Sequence, residues 1–380
     1  MIITTTQALA DFCESAKNSK FVTIDTEFIR EKTYFPQVCL VQIGTDDAAI
    51  AVDPLAVGID LTALGKLLAN PEVIKVFHAG RQDVEIFCQL FNEIPQPIFD
   101  SQIAAMVLGY GEQVGYEGLV SSILGQNLDK SQRFTDWARR PLTEKQLDYA
   151  LGDVTHLRKI YIRLAEELEK TGRTEWMEKE ISILTDPETY ITHPENAWKR
   201  LSVRNVKPAV LARVKALAAW REETAKNKNL PRSWVISDEA ITEIAAGNPK
   251  TLEDLGRLRT AAKYKANAEK LLRVLDGAES LVEEKKSGAA GREGVPKSLE
   301  PARDLLRLLL KWQCQTHKVA PKLVASGDEI DELLLGEREL SCLQGWRGEV
   351  FGQKALEILE GKLAITLESG GAKARIIELG

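Results

Sequence analysis

The sequence predicts an α/β fold, a mixed sheet flanked by helices, followed by two small all-α units. Three observations carry this expectation. Short apolar runs alternate with helical periodicity up to about residue 193, and beyond Pro194 strand signals stop while helical spacing continues. A charged, Gly-rich stretch over 283–294 then separates two segments whose sequences echo each other. A chain of 380 residues is long enough for two or three domains.

Residues 21–28, 38–43 and 48–52 are apolar runs separated by turn-forming stretches, the pattern of a three-stranded meander. Residues 61–69 have helical spacing, 73–77 read as a strand and 83–90 as a helix. Ile98-Phe99 reads as a further strand, followed by two helical stretches and a long helix over 143–170. Pro141 and the pair Thr143 and Gln146, which can cap a first turn reciprocally, mark the start of that helix.

Beyond Pro194, apolar residues recur at helical spacing over 210–224, 238–246, 252–258 and 261–275. The stretch 283–294 has no apolar period and reads as a linker. After it, Trp312, Pro321 and Asp328-Glu329 echo Trp220, Pro231 and Asp238-Glu239, with seven positions from Pro to Asp in both copies. The expected domains are 1–193, 194–280 and 297–380, with a linker at 281–296.

The composition, 44% hydrophobic and 28% charged, excludes disorder and collagen-like structure. No apolar run approaches the roughly 18 residues of a membrane span, and the N-terminus lacks a charged segment leading into an apolar one. Five cysteines, odd in number and widely spaced, fit a reducing compartment and no zinc cluster. A cytoplasmic monomer without membrane association is expected. The net charge of −6 conceals an asymmetry: residues 1–193 carry −11, 194–280 carry +6 and 281–380 carry −1. A metal-dependent nuclease can have this distribution, with carboxylates holding cations and a separate basic module holding phosphates.

Asp25 and Glu27 lie two apart on the strand over 21–28, so the period of two aims both at one face. Two buried like charges require either a retained proton or a cation, and divalent magnesium or manganese with oxygen ligands suits that role. An exposed strand end is the alternative. In His78-Ala79-Gly80-Arg81-Gln82-Asp83 a strand ends, Gly80 permits a tight turn and Asp83 falls near a helix start, where an Asp also serves as a simple cap. On the long helix Tyr149 and Asp153, four apart, share a face with Cβ atoms about 5–6 Å apart.

Asp-Thr-Glu-Phe on a first strand, an Asp after a His-Ala-Gly turn and Tyr-x-x-x-Asp on a late helix occur here in one order. In this they resemble the DEDD family of 3′–5′ exonucleases, tyrosine subclass. Tyr34-Phe35-Pro36-Gln37-Val38-Cys39-Leu40-Val41-Gln42-Ile43-Gly44, Phe99-Asp100-Ser101-Gln102 and Asp136-Trp137-Ala138-Arg139-Arg140-Pro141-Leu142 are similar to the ribonuclease D branch of that family. The two helical units resemble its tandem HRDC domains, the second more weakly.

The resemblance spans essentially the whole chain and implies a ribonuclease H-like exonuclease domain. It also implies two divalent metal ions, Mg2+ or Mn2+, and stepwise hydrolysis of RNA from a free 3′ end to nucleoside 5′-monophosphates, with precursor tRNA carrying 3′ trailer nucleotides as substrate. Carried over residue by residue, it makes Asp25 a bridge between both ions and gives Glu27 and Asp153 the ion with the nucleophilic water. Asp83 takes the second ion, and Tyr149 orients the nucleophile. Thr26, Phe28, His78 and Arg81 are expected at the substrate. Arg81, Arg133, Arg139 and Arg140 are candidates for phosphate contacts, and Phe28, Tyr34 and Phe35 for base stacking. The catalytic motifs are shared with DNA-directed exonucleases, and only the flanking stretches and helical units favour RNA. An inactive binding scaffold would have lost a ligand, whereas all four carboxylates and Tyr149 are present.

Overall fold

The structure, a computed structural model, describes residues 1–128, 135–203, 206–280, 295–368 and 374–379. The first part runs β1 (Ile2–Ile3), α1 (Thr6–Ala16), β2 (Phe21–Ile29), β3 (Gln37–Gly44), β4 (Ala49–Val52), α2 (Thr62–Ala69) and β5 (Ile74–Phe77). It continues with α3 (Arg81–Phe91), β6 (Ile98–Asp100), α4 (Ser101–Leu108), α5 (Tyr116–Leu124), α6 (Glu144–Thr171) and α7 (Thr174–Thr185). One sheet has the order β1-β4-β3-β2-β5-β6. The β3·β4 pair is antiparallel, whereas β1·β4, β2·β5 and β5·β6 are parallel, so the sheet is mixed as expected. Val38 to Gly44 of β3 are buried without interruption, which is why this strand reads as an apolar run broken only at Gln42.

The expected elements are present, and β1 and α1 precede the first of them. Two residues carry no period, and β1 exists through pairing with β4, Ile2 opposite Ala51. The long helix begins where its cap indicates. The Thr143 hydroxyl accepts from the Gln146 amide while the Gln146 side chain accepts from the Thr143 amide, closing both ends of the box.

The seating of α6 on the sheet positions the site. Thr23 Oγ1 donates to the Val154 carbonyl at 2.8 Å, an interior bond between β2 and the middle of α6. Gly44 on β3 makes room for it, since a Cβ there would come within 2.5 Å of Thr23 Oγ1 and 3.3 Å of the Val154 carbonyl oxygen.

The chain divides into two compact units. One contains Phe28–Cys39 and Pro187–Gly291. Its helices are α8 (Pro208–Lys228), α9 (Arg232–Val235), α10 (Asp238–Gly247), α11 (Leu252–Arg257) and α12 (Ala268–Ser280). Tyr34 is buried in its core: the hydroxyl donates to Glu222 at 2.6 Å, and Arg232 grips the same carboxylate at two points, 2.5 and 2.6 Å. The Asn229 side chain accepts from the backbone amides of Tyr34 and Phe35. This corrects the stacking expectation for Tyr34 and Phe35, whose rings belong to the helical core.

The other unit contains Met1–Glu27, Leu40–Asp186 and Arg292–Gly380. Its last segment has α13 (Glu300–His317), α14 (Pro321–Val324), α15 (Gly327–Leu334), α16 (Gly345–Arg347) and α17 (Gln353–Leu359). The succession of long helix, four-residue helix and Ser-capped helix repeats that of α8 to α10, with Ser237 and Ser326 as the caps. The expectation of an all-α segment needs correction. β7 (Leu363–Leu367) and β8 (Ala374–Glu378) form an antiparallel pair, with Ile365 opposite Ile376 and both packed on the local core. These strands are five residues each, too short for their alternation to stand out among helices. Trp176 of α7 stacks on Trp346 with centroids 4.3 Å apart, and Glu180 pairs with Arg347. Arg173 donates to the carbonyls of Val107 and Lys318 at 2.8 Å each. The C-terminal segment is thereby fastened to α4 and α7. Most of the expected 281–296 linker lies outside the described residues.

Gly44→Ala forces apart Thr23 and α6, so it should destabilise the protein by about 1–3 kcal/mol, the usual cost of overpacking. Urea denaturation measures this, and an unchanged midpoint would contradict the tight seating of α6.

Candidate active site

Thr23, Asp25 and Glu27 alternate with Val22, Ile24 and Thr26 along β2, and Thr23 identifies the face that meets α6. On α6, Asp153 immediately precedes Val154, the residue whose carbonyl Thr23 holds. The register that seats the helix therefore also brings Asp153 to Asp25 and Glu27. Ligand oxygens of Asp25, Glu27 and Asp153 all lie within 4.8 Å of one another.

Asp83, in the first turn of α3, is 8% exposed and lies close enough to Asp25 and Glu27 for their charges to interact. Thr26, out of phase with its neighbours on β2, donates its hydroxyl to Asp83 Oδ1 at 2.5 Å. Thr26 thus holds Asp83 through its side chain, and only its backbone is left for the expected substrate contact.

The electrostatics are those of crowded acids partly withdrawn from water. Burial, and then the Asp153 charge, pushes Asp25 up to about 8. Burial followed by the charges of Asp25, Asp153 and Asp83 pushes Glu27 to about 9, and burial pushes Asp153 to about 7. Asp83 is also raised well above the carboxylate range, by burial and then by Asp25. At neutral pH such groups retain protons unless a cation replaces them. Three hard carboxylate oxygens converging on one point suit a divalent cation such as magnesium or manganese.

The turn before α3 is tight, as expected. Its left-handed residue is Ala79, φ 54°, whereas Gly80 has φ −74°. Gly80 is required for space, because a Cβ would come within 2.4 Å of Phe77 Cβ. The Asp100 carboxylate accepts from the amides of Ala79 and Gly80 at 3.2 and 2.8 Å and also caps α4, which offsets the strained conformation. His78 bonds Ser101 Oγ through Nδ1 at 2.9 Å, and burial lowers its pKa. Arg81 opens α3 and is exposed, while Phe28 is half-buried near the end of β2.

Sequence reasoning missed Tyr116, the first residue of α5. Its hydroxyl donates to the Asp153 carbonyl, its ring packs 5.3 Å from His78, and burial followed by the charges of Asp153 and Asp25 raises its pKa. A Tyr opening an ordinary helix carries no motif that could have marked it. Arg140, expected at phosphates, grips Asp53 at two points instead. Arg133 lies outside the described residues.

A carboxylate cluster carried by the central strand of a mixed sheet and by a long covering helix is what a metal-dependent nuclease needs. The family model described as 3′-5′ exonuclease matches residues 1–169, and the HRDC domain model matches 210–275. The ribonuclease D of Sphingobium indicum is 46% identical over 378 residues, covering 98% of this chain and 97% of the relative. That of Jannaschia sp. is 47% identical over 386 residues, covering 99% of each. The crystal structure of Escherichia coli RNase D superposes with a TM-score of 0.81 at 30% identity, covering 95% of this chain and 98% of that one. The chain belongs to the ribonuclease D family and is a 3′–5′ exoribonuclease. Its family depends on divalent metal ions. Among the described residues, no helix is long and apolar enough to cross a membrane.

A carboxyl whose folded pKa exceeds its unfolded value stabilises the fold fully below the unfolded pKa, and that contribution is lost as pH rises through the folded pKa. The values for Asp25, Glu27 and Asp153 place the loss between about pH 4 and pH 9. The melting temperature in EDTA should therefore gain a downward slope over this interval, and Asp25→Asn should flatten it. Added Mg2+ should raise the melting temperature more at pH 8.5 than at pH 6. Equal Mg2+ shifts at both pH values would contradict the protonated cluster.

Proposed function

We propose that this exoribonuclease trims 3′ trailer nucleotides from precursor tRNA, one nucleoside 5′-monophosphate at a time, with two divalent ions held by Asp25, Glu27, Asp83 and Asp153. The convergence of Asp25, Glu27 and Asp153 oxygens within 4.8 Å is the observation that carries this reading. When bound, the ions activate the attacking water and stabilise the leaving 3′ oxygen. The carboxylates offer the oxygen donors, and Thr26 fixes Asp83 beside the other three. Tyr149 orients the nucleophile through its hydroxyl. A tyrosine, with an ordinary pKa near 10, is a poor base at neutral pH but a good positioning donor. Thr26 and Phe28 on β2, His78 at the strand end and Arg81 opening α3 are the groups assigned to the terminal nucleotides.

The domain organisation in this reading is an exonuclease domain over 1–193, a helical module over 194–280, a linker at 281–296 and a second module over 297–380. RNA grip falls to the first module, which carries +6 against −11 for residues 1–193. Within its compact unit, a cavity of about 550 Å3 is lined by Arg30, Arg200, Arg221 and Arg232 together with Asp238 and Glu239; Arg221 and Arg232 are paired with Asp238 and Glu222, which leaves Arg200 as its candidate for phosphate contact. The Escherichia coli neighbour is described as an exoribonuclease involved in structured RNA processing, which supports a tRNA precursor as substrate. The reading also makes the protein a cytoplasmic monomer, its five cysteines being odd in number and widely spaced.

A 3′-extended tRNA precursor resolved at single-nucleotide steps tests the reading. The expected result is a ladder in Mg2+ that vanishes in EDTA and in Asp25→Ala or Asp153→Ala, with both variants folded. Tyr149→Phe should keep RNA affinity and slow single turnover by about 10²–10³-fold if its hydroxyl acts like an oxyanion-hole donor. A ladder from Asp153→Ala, or faster digestion of matched DNA, would overturn the proposal. Arg200→Ala combined with Lys207→Ala should flatten the salt dependence of RNA binding, with the slope falling by about 0.7 for each phosphate no longer neutralised. An unchanged slope would remove the grip from this module.

A further inference from the structure

Tyr149 sits in the second turn of α6, where the helix fixes its Cβ and the direction of the phenol is set by what packs against the ring. A hydroxyl that orients a nucleophile must be held to about 0.5 Å and 10–20°. The phenol has an aromatic neighbour in Trp137, 4% exposed, whose ring centroid lies 6.3 Å from that of Tyr149 at an interplanar angle of 32°. That distance is within the range over which aromatic pairs attract.

Trp137 lies in a turn, and a turn residue is a poor support unless it is tied down. The Trp137 carbonyl accepts from Arg140 Nη1 at 2.7 Å. Arg140 Nε and Nη2 each reach one oxygen of Asp53 at 2.7 Å, a planar two-point contact. Asp53, 5% exposed, directly follows β4, and its amide donates to the Ile3 carbonyl at 2.9 Å, so it is anchored to the rim of the sheet. Contacts thus run from the sheet edge through Asp53 and Arg140 to Trp137 and the ring of Tyr149. Lysine cannot reproduce the two-point contact.

We propose that Trp137 is a positioning residue for Tyr149, held in place by the Arg140–Asp53 ion pair. The inference rests on the reading of Tyr149 as the group that orients the nucleophile. Arg140 acts on the reaction through the phenol, not by touching a substrate phosphate.

The test is a double-mutant cycle in the full chain. Arg140→Lys and Trp137→Phe are each made with Tyr149 intact and in the Tyr149→Phe background. Single-turnover cleavage is measured in saturating Mg2+, and RNA affinity in Ca2+. With Tyr149 present, each substitution should slow cleavage about ten- to a hundredfold, the scale of an ångström misplacement. RNA affinity should stay within about twofold of the parent. In the Tyr149→Phe background the same substitutions should cost less than about twofold, because the hydroxyl they position is gone. Equal losses in both backgrounds, or no loss with Tyr149 present, would overturn the proposal. If Arg140→Lys does not fold, Asp53→Asn replaces it, and failure of all three to fold assigns the segment to folding and overturns the proposal too. An unimpaired Tyr149→Phe protein would instead sink the underlying reading of Tyr149, so the two failures are distinguishable.

Discussion

The hydroxyl of Thr23 holds the Val154 carbonyl at 2.8 Å, and the rest of the active site depends on that seating of α6 against β2. A β-strand presents every second residue to one face, so the face that meets the helix at Thr23 also carries Asp25 and Glu27. An α-helix that fixes Val154 fixes Asp153 with it, and Tyr149 one turn earlier. Gly44 is the condition for this arrangement, because any side chain on β3 at that point would enter the space of Thr23 and the helix backbone. Asp83 arrives independently on α3 and is joined to the same strand by Thr26. Two helices meet one strand, and the residues of that strand serve both.

The assembly conflicts with folding taken alone. Burial raises the carboxyls of Asp25, Glu27 and Asp153 to between about 7 and 9, with repulsion from the neighbouring acids adding to it for Asp25 and Glu27, so without a cation the cluster keeps protons near neutral pH. Such a cluster is tolerated because the surrounding elements over-determine it. The strained Ala79 is held by Asp100, and the start of α6 is closed by its capping box. The C-terminal segment clamps α4 and α7 through Arg173, Arg347 and the Trp176–Trp346 stack.

Much of the site is legible in the sequence where the signal is local. Asp25 and Glu27 announce their shared face by spacing, Asp153 by its place on a long helix, and α6 by Thr143 and Gln146, all of which involve only near neighbours along the chain. What cannot be read depends on distant partners. Tyr34 looks like a base-stacking aromatic until Glu222 and Asn229, nearly two hundred residues on, are seen to bind it. Arg140 looks like a phosphate ligand until Asp53 is found opposite it. Tyr116 has no sequence signal, since its role comes from a carbonyl on another helix. The turn before α3 is visible in the sequence through Gly80, but its left-handed residue is Ala79, and the glycine is needed there for space.

The central claim is that a divalent cation takes the place of protons within a carboxylate cluster assembled by β2 and α6. Calorimetric titration of Mg2+ into the metal-free protein at pH 7.5, repeated in buffers of different ionisation enthalpy, counts the protons released on binding. At least one proton per protein should be released, and Asp153→Asn should reduce the number. Mg2+ binding with no proton release would contradict the account.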